Sequence, residues 1–230
     1  MGTFERREKK FLLTQPQYER FMESAQPFLQ QCEYFESVIQ SVYFDTDSNA
    51  LIRRSMEKPL YKDKLRVRKY LGTEKDPLVY IELKKKYKGV GYKRRTLADW
   101  HDILNNGLQN CTYASEQIGK EIRVFDSMYP GLHPRMKIKT SRRSYIDKED
   151  PNIRITFDFD VSYSPEDLDV LEFRDGEPLL PAGTVILEIK APGNLPLRYT
   201  QILTKEKIYR RPFSKYATAC TRQYEKETRQ

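Results

Sequence analysis

Residues 65–68 read Leu-Arg-Val-Arg, and residues 81–84 read Ile-Glu-Leu-Lys. In both runs apolar and charged side chains alternate, which is the pattern of a β-strand with one apolar and one charged face. The same alternation recurs at 136–139 (Met-Lys-Ile-Lys), at 153–158 (Ile-Arg-Ile-Thr-Phe-Asp) and at 187–190 (Leu-Glu-Ile-Lys). These runs predict a sheet that is packed on its apolar side and carries charge on its other side.

Basic residues dominate the charged side of these runs and of the neighbouring stretches. An antiparallel sheet with one solvated face gives the same alternation without any function. Two observations favour a shared function instead: the charges recur on several runs, and Glu-x-Lys appears at 8–10, 82–84 and 188–190. We therefore expect one cavity that binds a polyanion, with phosphate as the simplest ligand. The basic residues in such positions are Lys10, Arg66, Arg68, Lys84, Lys86, Lys93, Arg95, Lys137, Lys139, Arg154, Lys190 and Lys215.

The composition indicates an anionic partner without identifying it. The chain has 230 residues and a formal net charge of +8, from 41 Lys and Arg against 33 Asp and Glu. Nucleic acid, a membrane surface and polyphosphate all fit such an excess. A chain of this length can bury a substantial core, and we expect one domain over residues 1–230.

Membrane, secretion and metal motifs are weak in this sequence. No apolar run approaches the roughly 20 residues that span a bilayer, and the first ten residues are charged. We therefore expect a cytoplasmic protein without a membrane segment of its own. Cys32, Cys111 and Cys220 are widely spaced, as reduced thiols would be. Only two histidines, His101 and His133, are available, so a Ser-His-Asp or Cys-His mechanism has little to draw on.

The order of the elements predicts an α+β fold. Eight mostly antiparallel strands are expected at 3–13, 35–44, 62–70, 78–86, 90–95, 136–147, 153–162 and 184–191. Helices are expected between and after them, at 14–31, 45–56, 97–106, 115–128, 196–209 and 213–227, and a loop at 164–183. Apolar strand faces would then lie outside, under the helices, and the charged faces would line a tunnel. A charged lumen costs folding free energy unless a ligand occupies it, which favours a function inside.

Several of these runs, taken in order, resemble the VTC domain, the polyphosphate-polymerase branch of the triphosphate tunnel metalloenzymes. The resemblance extends from Glu8 to about Ala219 and implies an eight-stranded antiparallel tunnel with helices packed outside. It implies transfer of the terminal phosphoryl group of a nucleoside triphosphate to a growing polyphosphate chain, with Mg²⁺ or Mn²⁺. The matching motifs are Glu8-x-Lys10-Phe11, Tyr43-Phe44-Asp45, Leu65-Arg66-Val67-Arg68, Ile81-Glu82-Leu83-Lys84, Leu187-Glu188-Ile189-Lys190 and Phe213-Ser214-Lys215-Tyr216.

The resemblance also implies roles for individual residues. Glu188 would be the metal ligand, because these ions prefer hard oxygen donors together with phosphate oxygens. Ser214 and Lys215 would hold the distal end of the triphosphate or chain at a helix N-terminus. Arg142 would also be a phosphate ligand, but its side chain lies on the charged side of the strand only if a β-bulge follows Lys139. The residues implied in catalysis are Lys10, Arg66, Arg68, Lys84 and Glu188; those implied in substrate binding are Lys93, Arg95, Lys137, Lys139, Arg142, Arg154, Lys190, Ser214 and Lys215.

The chain departs from the superfamily at one position, and two alternative functions remain open. Hydrolytic members of the superfamily carry Glu-x-Glu-x-Lys on the first strand, whereas this chain has Arg6 at the first position. One carboxylate fewer favours transfer over hydrolysis, but a triphosphatase on the same tunnel remains an alternative, as does a non-catalytic module that binds polyphosphate or triphosphate. A nucleic-acid binder fits poorly, because the aromatic residues lie mostly opposite the charges rather than among them. We expect no nucleic-acid partner, and association with a separate membrane protein remains open.

Overall fold

The computed structural model describes residues 7–57, 59–73, 75–88 and 90–229. Its strands form one sheet in the order β1-β9-β7-β6-β2-β3-β4-β5, with β8 paired to β7. The β1/β9, β7/β9, β2/β3, β3/β4 and β4/β5 pairs are antiparallel. The strands are β1 (Arg7–Leu13), β2 (Leu29–Asp45), β3 (Tyr61–Tyr70), β4 (Leu78–Tyr87), β5 (Val90–Asp99), β6 (His133–Asp147), β7 (Arg154–Ser164), β8 (Glu177–Pro178) and β9 (Val185–Ala191).

Helices lie between and after these strands, so the predicted α+β class is confirmed. They are α1 (Gln15–Ala25), α2 (Ala50–Met56), α3 (Trp100–Asn110), α4 (Glu116–Met128), α5 (Leu197–Lys205) and α6 (Lys215–Glu227). None of the helices in the described ranges is long and apolar enough to cross a membrane.

Several expected boundaries differ from the structure. The capping box of Thr14 and Gln17 is present, but α1 ends at Ala25 instead of residue 31. A 3-10 turn over Gln26–Phe28 follows, because Pro27 has no N–H with which to continue the helix, and β2 already begins at Leu29. Strand β5 continues to Asp99, whose side chain caps α3, so this helix begins at Trp100 instead of residue 97. The predicted loop contains the short strand β8.

The chain divides into two compact units, each with its own apolar core. Unit 1 comprises residues 1–38, 140–162 and 178–214. Its core packs α1 and α5 against one face of β1, β7 and β9, through residues such as Phe21, Phe157, Leu187 and Tyr199. The fully buried Phe21 and Phe157 meet edge to face, with ring centroids 5.7 Å apart.

Unit 2 comprises residues 39–139, 163–177 and 215–230. Its core packs α3 and α4 against one face of β2 to β5, with Val67, Ile81 and Trp100 among its buried residues. In both units the apolar residues are those that the alternation assigned to the packed side. The single domain expected over residues 1–230 stays a prediction.

Candidate functional site

The buried carboxylate of Glu82 organises the charged face of unit 2. Its side chain is 1% exposed and lies at the centre of β4. Arg66 donates to Glu82 Oε2 twice, from Nε at 2.8 Å and from Nη2 at 2.7 Å. Lys93 Nζ lies 2.5 Å from Glu82 Oε1, and Arg95 Nε lies 3.7 Å from the same oxygen. Three cations therefore share one carboxylate, which leaves this face with an excess of positive charge.

The register of the antiparallel ladder explains this convergence. Arg66 lies directly opposite Glu82 on the neighbouring strand, and Glu82 lies opposite Arg95. The next row along the same face joins Lys64, Lys84 and Lys93, and the row after it joins Lys62, Lys86 and Gly91. Directly opposed residues lie close enough for their side chains to interact. The ladder thus builds a basic surface in which Glu82 is the one acid of these three rows.

Two polar residues of β2 complete the surroundings of the arginines. The hydroxyl oxygen of Tyr43 accepts a hydrogen bond from Arg66 Nη1 at 2.9 Å, and Ser41 Oγ accepts one from Arg68 Nε at 3.2 Å. Tyr43 was predicted only as part of a motif, and Ser41 was not predicted. The alternation along β2 could have predicted that both residues face the arginines, because residues two positions apart on a strand lie on the same side of the sheet.

The electrostatics of this face follow from its excess of cations. Burial raises the pKa of Glu82, but Arg66, Arg68 and Lys93 outweigh it and hold the pKa well below its usual value. Burial likewise opposes ionisation of Tyr43, yet the neighbouring cations, Arg66 foremost, lower its pKa to about 7. The pKa of Lys93 falls to about 8, through burial and the repulsion of the arginines, against the attraction of Glu82. Two groups of this face therefore titrate close to neutral pH.

Lys137 and Lys139 lie on the other face of the sheet in unit 2. Gln40 precedes Ser41 on β2, so its side chain points away from the arginines. It donates to the carbonyl oxygen of Glu172 at 2.8 Å, and Lys137 Nζ donates to the same oxygen at 3.2 Å.

Both lysines hold the acidic loop that follows β7. Lys137 is 2% exposed and forms an ion pair with Asp167 at 2.5 Å. Lys139 forms one with Asp175 at 2.8 Å and donates to the carbonyl oxygen of Phe173 at 3.3 Å. This placement does not support the phosphate-binding role expected for Lys137 and Lys139, which stays a prediction.

Unit 1 contains a second buried carboxylate held between two lysines. Glu188 lies directly opposite Lys10, and Lys190 opposite Glu8, in the antiparallel ladder of β1 and β9. Glu188 Oε1 lies 2.5 Å from Lys190 Nζ, and Oε2 lies 3.4 Å from Lys10 Nζ. Burial raises the pKa of Glu188, but Lys190, Lys10 and Arg142 together hold it well below the usual value. The side chain is therefore a carboxylate at neutral pH.

The arginines of β6 and β7 in unit 1 differ in their partners. Arg142 binds Asp158 through two parallel contacts, Nε to Oδ1 at 2.5 Å and Nη2 to Oδ2 at 2.8 Å. Asp158 is buried, and its partnership with Arg142 was not predicted. Arg154 is exposed and lies opposite Lys190 in the β7/β9 ladder.

Ser214 and Lys215 lie where they were expected, at the start of α6. The helix begins at Lys215, with Ser214 directly before it, and both residues are half-buried. Each belongs to a different compact unit. Their role as an anchor for phosphate stays a prediction.

The residues around Glu188 can be compared with what a divalent cation requires. Across residues 7–57, 59–73, 75–88 and 90–229, no three His, Cys, Asp or Glu side chains form a group that could hold a metal. Mg²⁺ is commonly bound by one or two carboxylates together with substrate phosphates, so a complete cage of protein ligands is not needed. Glu188 provides an ionised hard oxygen donor, and Glu8 lies within reach of the same lysine, Lys10. These residues fit a metal ion that arrives with its phosphates.

Comparison with known proteins agrees with this architecture. A solved structure from Bacillus halodurans, described as a candidate adenylate cyclase, is 16% identical with a TM-score of 0.55, over 91% of this chain and 95% of that one. Another candidate adenylate cyclase, from Vibrio parahaemolyticus, is 10% identical with a TM-score of 0.53, over 96% and 99% of the two chains. At these identities the likeness shows the fold alone. A search of curated proteins gave no match.

The fold defines an α+β protein with one large sheet and helices packed against it. The model of the VTC domain matches residues 5–224, so the chain belongs to the VTC domain family. The resemblance stated from the motifs is thereby confirmed. Arg6, on which the comparison with hydrolytic members depends, lies outside the described residues.

Proposed function

We propose that this protein is a metal-dependent phosphotransferase that extends polyphosphate with the terminal phosphoryl group of a nucleoside triphosphate. The observation that carries the proposal is the charge of the face around Glu82. Arg66, Lys93 and Arg95 all contact this one buried carboxylate, and Arg68 lies beside them. A polyanion with several phosphates would neutralise the remaining positive charge.

The residue types on this face suit phosphate. Arginine presents a planar set of donors that can bind two phosphate oxygens at once, and lysine provides a compact charge. We assign phosphate binding to Arg66, Arg68, Lys84, Lys93 and Arg95 in unit 2. Glu82 and Tyr43 orient the Arg66 guanidinium from two sides, so its direction is set before substrate arrives. In unit 1 we assign phosphate binding to Lys10, Arg142, Arg154 and Lys190, and at the start of α6 to Ser214 and Lys215.

Phosphoryl transfer depends on positioning and on neutralising charge more than on a side-chain nucleophile. The absence of a usable histidine among the proposed residues is therefore no obstacle. We assign metal binding to Glu188, and Mg²⁺ or Mn²⁺ bound there would neutralise charge on the phosphate oxygens. Lys10 and Lys190 keep Glu188 ionised by lowering its pKa, and they would bind phosphate oxygens beside it.

The experiment that tests the proposal is an incubation of the protein with ATP and Mn²⁺, followed on a gel for polyphosphate. Long chains that appear only with metal and the wild-type protein would support the polymerase. Release of free phosphate without chains would make the protein a triphosphatase instead. Tight binding of triphosphate with neither product would make it a non-catalytic binding module.

A further inference from the structure

One end of the sheet in unit 2 exposes aromatic, apolar and basic side chains together. Leu60 precedes β3, and its carbonyl oxygen accepts a hydrogen bond from the backbone N–H of Lys88 in the β4–β5 turn, at 2.9 Å. Tyr61 lies opposite Tyr87 in the ladder, and Lys85 lies opposite Tyr92. These contacts make the group contiguous. We call Leu60, Lys85, Tyr87, Lys88, Tyr92 and Arg94 the hairpin patch.

The exposure of the large side chains in the hairpin patch is high. Leu60 is 70% exposed, Tyr92 49% and Tyr87 47%. None of the three belongs to the core of unit 2, whose last member on β4 is Leu83. A contiguous exposed apolar group rimmed by polar residues commonly marks an interaction site.

The charges of the hairpin patch are predominantly positive. Lys88 lies over the ring of Tyr87, with its ammonium 5.3 Å from the ring centroid. Arg94 is 56% exposed and forms an ion pair with Glu121 of α4, with Nε 3.4 Å from the carboxylate oxygen Oε1. The acid nearest in the ladder, Asp63, is 4% exposed and lies opposite Lys85. A partner that approaches this end of the sheet therefore meets positive charge around an apolar centre.

We propose that the hairpin patch docks the protein on an anionic lipid membrane surface. Tyrosines with an apolar body and a polar tip favour the boundary between lipid headgroups and acyl chains. Basic residues next to them are attracted to anionic headgroups. The highly exposed Leu60 decides between partners, because an apolar side chain stabilises insertion into a bilayer but contributes little to binding of a free polyanion.

The test is co-sedimentation of the full-length protein with vesicles of phosphatidylcholine alone, or of phosphatidylcholine with about 30% phosphatidylglycerol as the anionic lipid. The wild-type protein should bind the anionic vesicles and not the neutral ones. Lys88→Gln should weaken binding about fivefold, as expected for one lysine near an anionic surface. Leu60→Ser combined with Tyr92→Ser should weaken it further.

Matched controls come from exposed apolar residues elsewhere in unit 2. Leu104 on α3 is 51% exposed and Tyr224 on α6 is 65% exposed. Leu104→Ser combined with Tyr224→Ser should bind the vesicles as the wild type does. Thermal unfolding shows whether each double variant folds. If the double variant of the hairpin patch does not fold, the two single variants Lys88→Gln and Tyr92→Ser decide the matter.

Three results would overturn the proposal. The first is a wild-type protein that ignores anionic vesicles, and the second is equal loss of binding in the patch and control variants. The third is binding that a short inorganic polyphosphate displaces while Leu60→Ser leaves it unchanged, since the patch would then serve a polyanion. The assay contains no nucleotide, so its outcome is separate from that of the proposed transfer reaction.

Discussion

The ring of Tyr43 stacks on the ring of Tyr216, with centroids 4.5 Å apart and planes 3° from parallel. The Tyr216 hydroxyl donates to Asp45 Oδ2 at 2.8 Å, and the same carboxylate accepts the backbone N–H groups of Leu51 and Ile52 at the start of α2. Since Tyr43 also accepts from Arg66, this stack joins the basic face of unit 2 to α6 and α2.

Triphosphate binding should take up protons near neutral pH, partly through Tyr43. The folded-state pKa of Tyr43 is about 7 and that of Lys93 about 8, so above these values the face carries a phenolate and loses a cation. A bound polyanion raises both pKa values, because negative charge disfavours the phenolate and favours the ammonium. The affinity for inorganic triphosphate should therefore fall as the pH rises through this range.

Calorimetry in two buffers of different ionisation enthalpy measures that uptake. Tyr43→Phe should reduce the number of protons taken up, and Lys93→Arg should reduce it separately. The triphosphate is the same in every titration, so its own protonation cancels in the comparison. Tyr80→Phe, a tyrosine on the same face, should leave the uptake unchanged. Identical uptake by Tyr43→Phe and the wild type would contradict the assignment.

Removal of a phosphate-binding arginine should weaken triphosphate binding far more than removal of a surface lysine. Arg68→Ala removes a cation whose Nε donates to Ser41 Oγ. The contacts between Arg66 and Glu82 stay in place. Removing one partner of such a confined charge pair typically costs about 2–5 kcal/mol of binding free energy. Lys226→Ala on α6 should have almost no effect, because exposed charges contribute little.

Titration with inorganic triphosphate and with monophosphate measures this difference, and triphosphate should lose more. Equal weakening by Arg68→Ala and Lys226→Ala would show that the interaction depends only on net charge.

Glu188→Gln should lower metal-dependent turnover by orders of magnitude while triphosphate binding survives. Glutamine keeps the size of the side chain but removes the charge that a divalent ion requires. If Glu188 serves only to neutralise Lys10 and Lys190, the variant should instead bind nucleotide equally or more tightly and turn over almost normally. Measuring both binding and turnover separates these outcomes. Glu36→Gln, which changes an exposed partner of Arg143 in the same unit, is the matched control.

Lys137→Ala should lower the free energy of unfolding. The protein that remains folded should bind triphosphate as tightly as the wild type does. Its ammonium is buried against Asp167 and two carbonyl oxygens, so the deletion leaves polar groups without a partner and costs about 2–4 kcal/mol. Lys139→Ala should cost much less, because its partner Asp175 is 81% exposed. Chemical denaturation gives both free energies of unfolding. Preserved stability together with lost triphosphate binding in Lys137→Ala would restore the role implied by the resemblance.

The sequence by itself determined the strands and their faces, because alternation is a local property of an extended chain. Leu65 and Val67 are fully buried, while Arg66 and Arg68 lie on the opposite side of β3, as the alternation predicted. The ordered motifs also identified the family, which the match over residues 5–224 confirms. Helix ends were less accurate: α1 was expected to run to residue 31, but it ends at Ala25, before Pro27, which has no N–H with which to continue the helix.

Only the tertiary structure decided which charges meet. Arg66 and Glu82, and likewise Arg142 and Asp158, are sixteen residues apart, and strand register brings each pair together. The run 136–139 has the same alternation as 65–68, yet Met136, Lys137 and Ile138 are all buried. Both sides of β6 are covered there, one by the loop that holds Lys137, so alternation could not say which side bears the function. Which face a loop covers depends on contacts between residues distant in the sequence, and no local pattern contains that information.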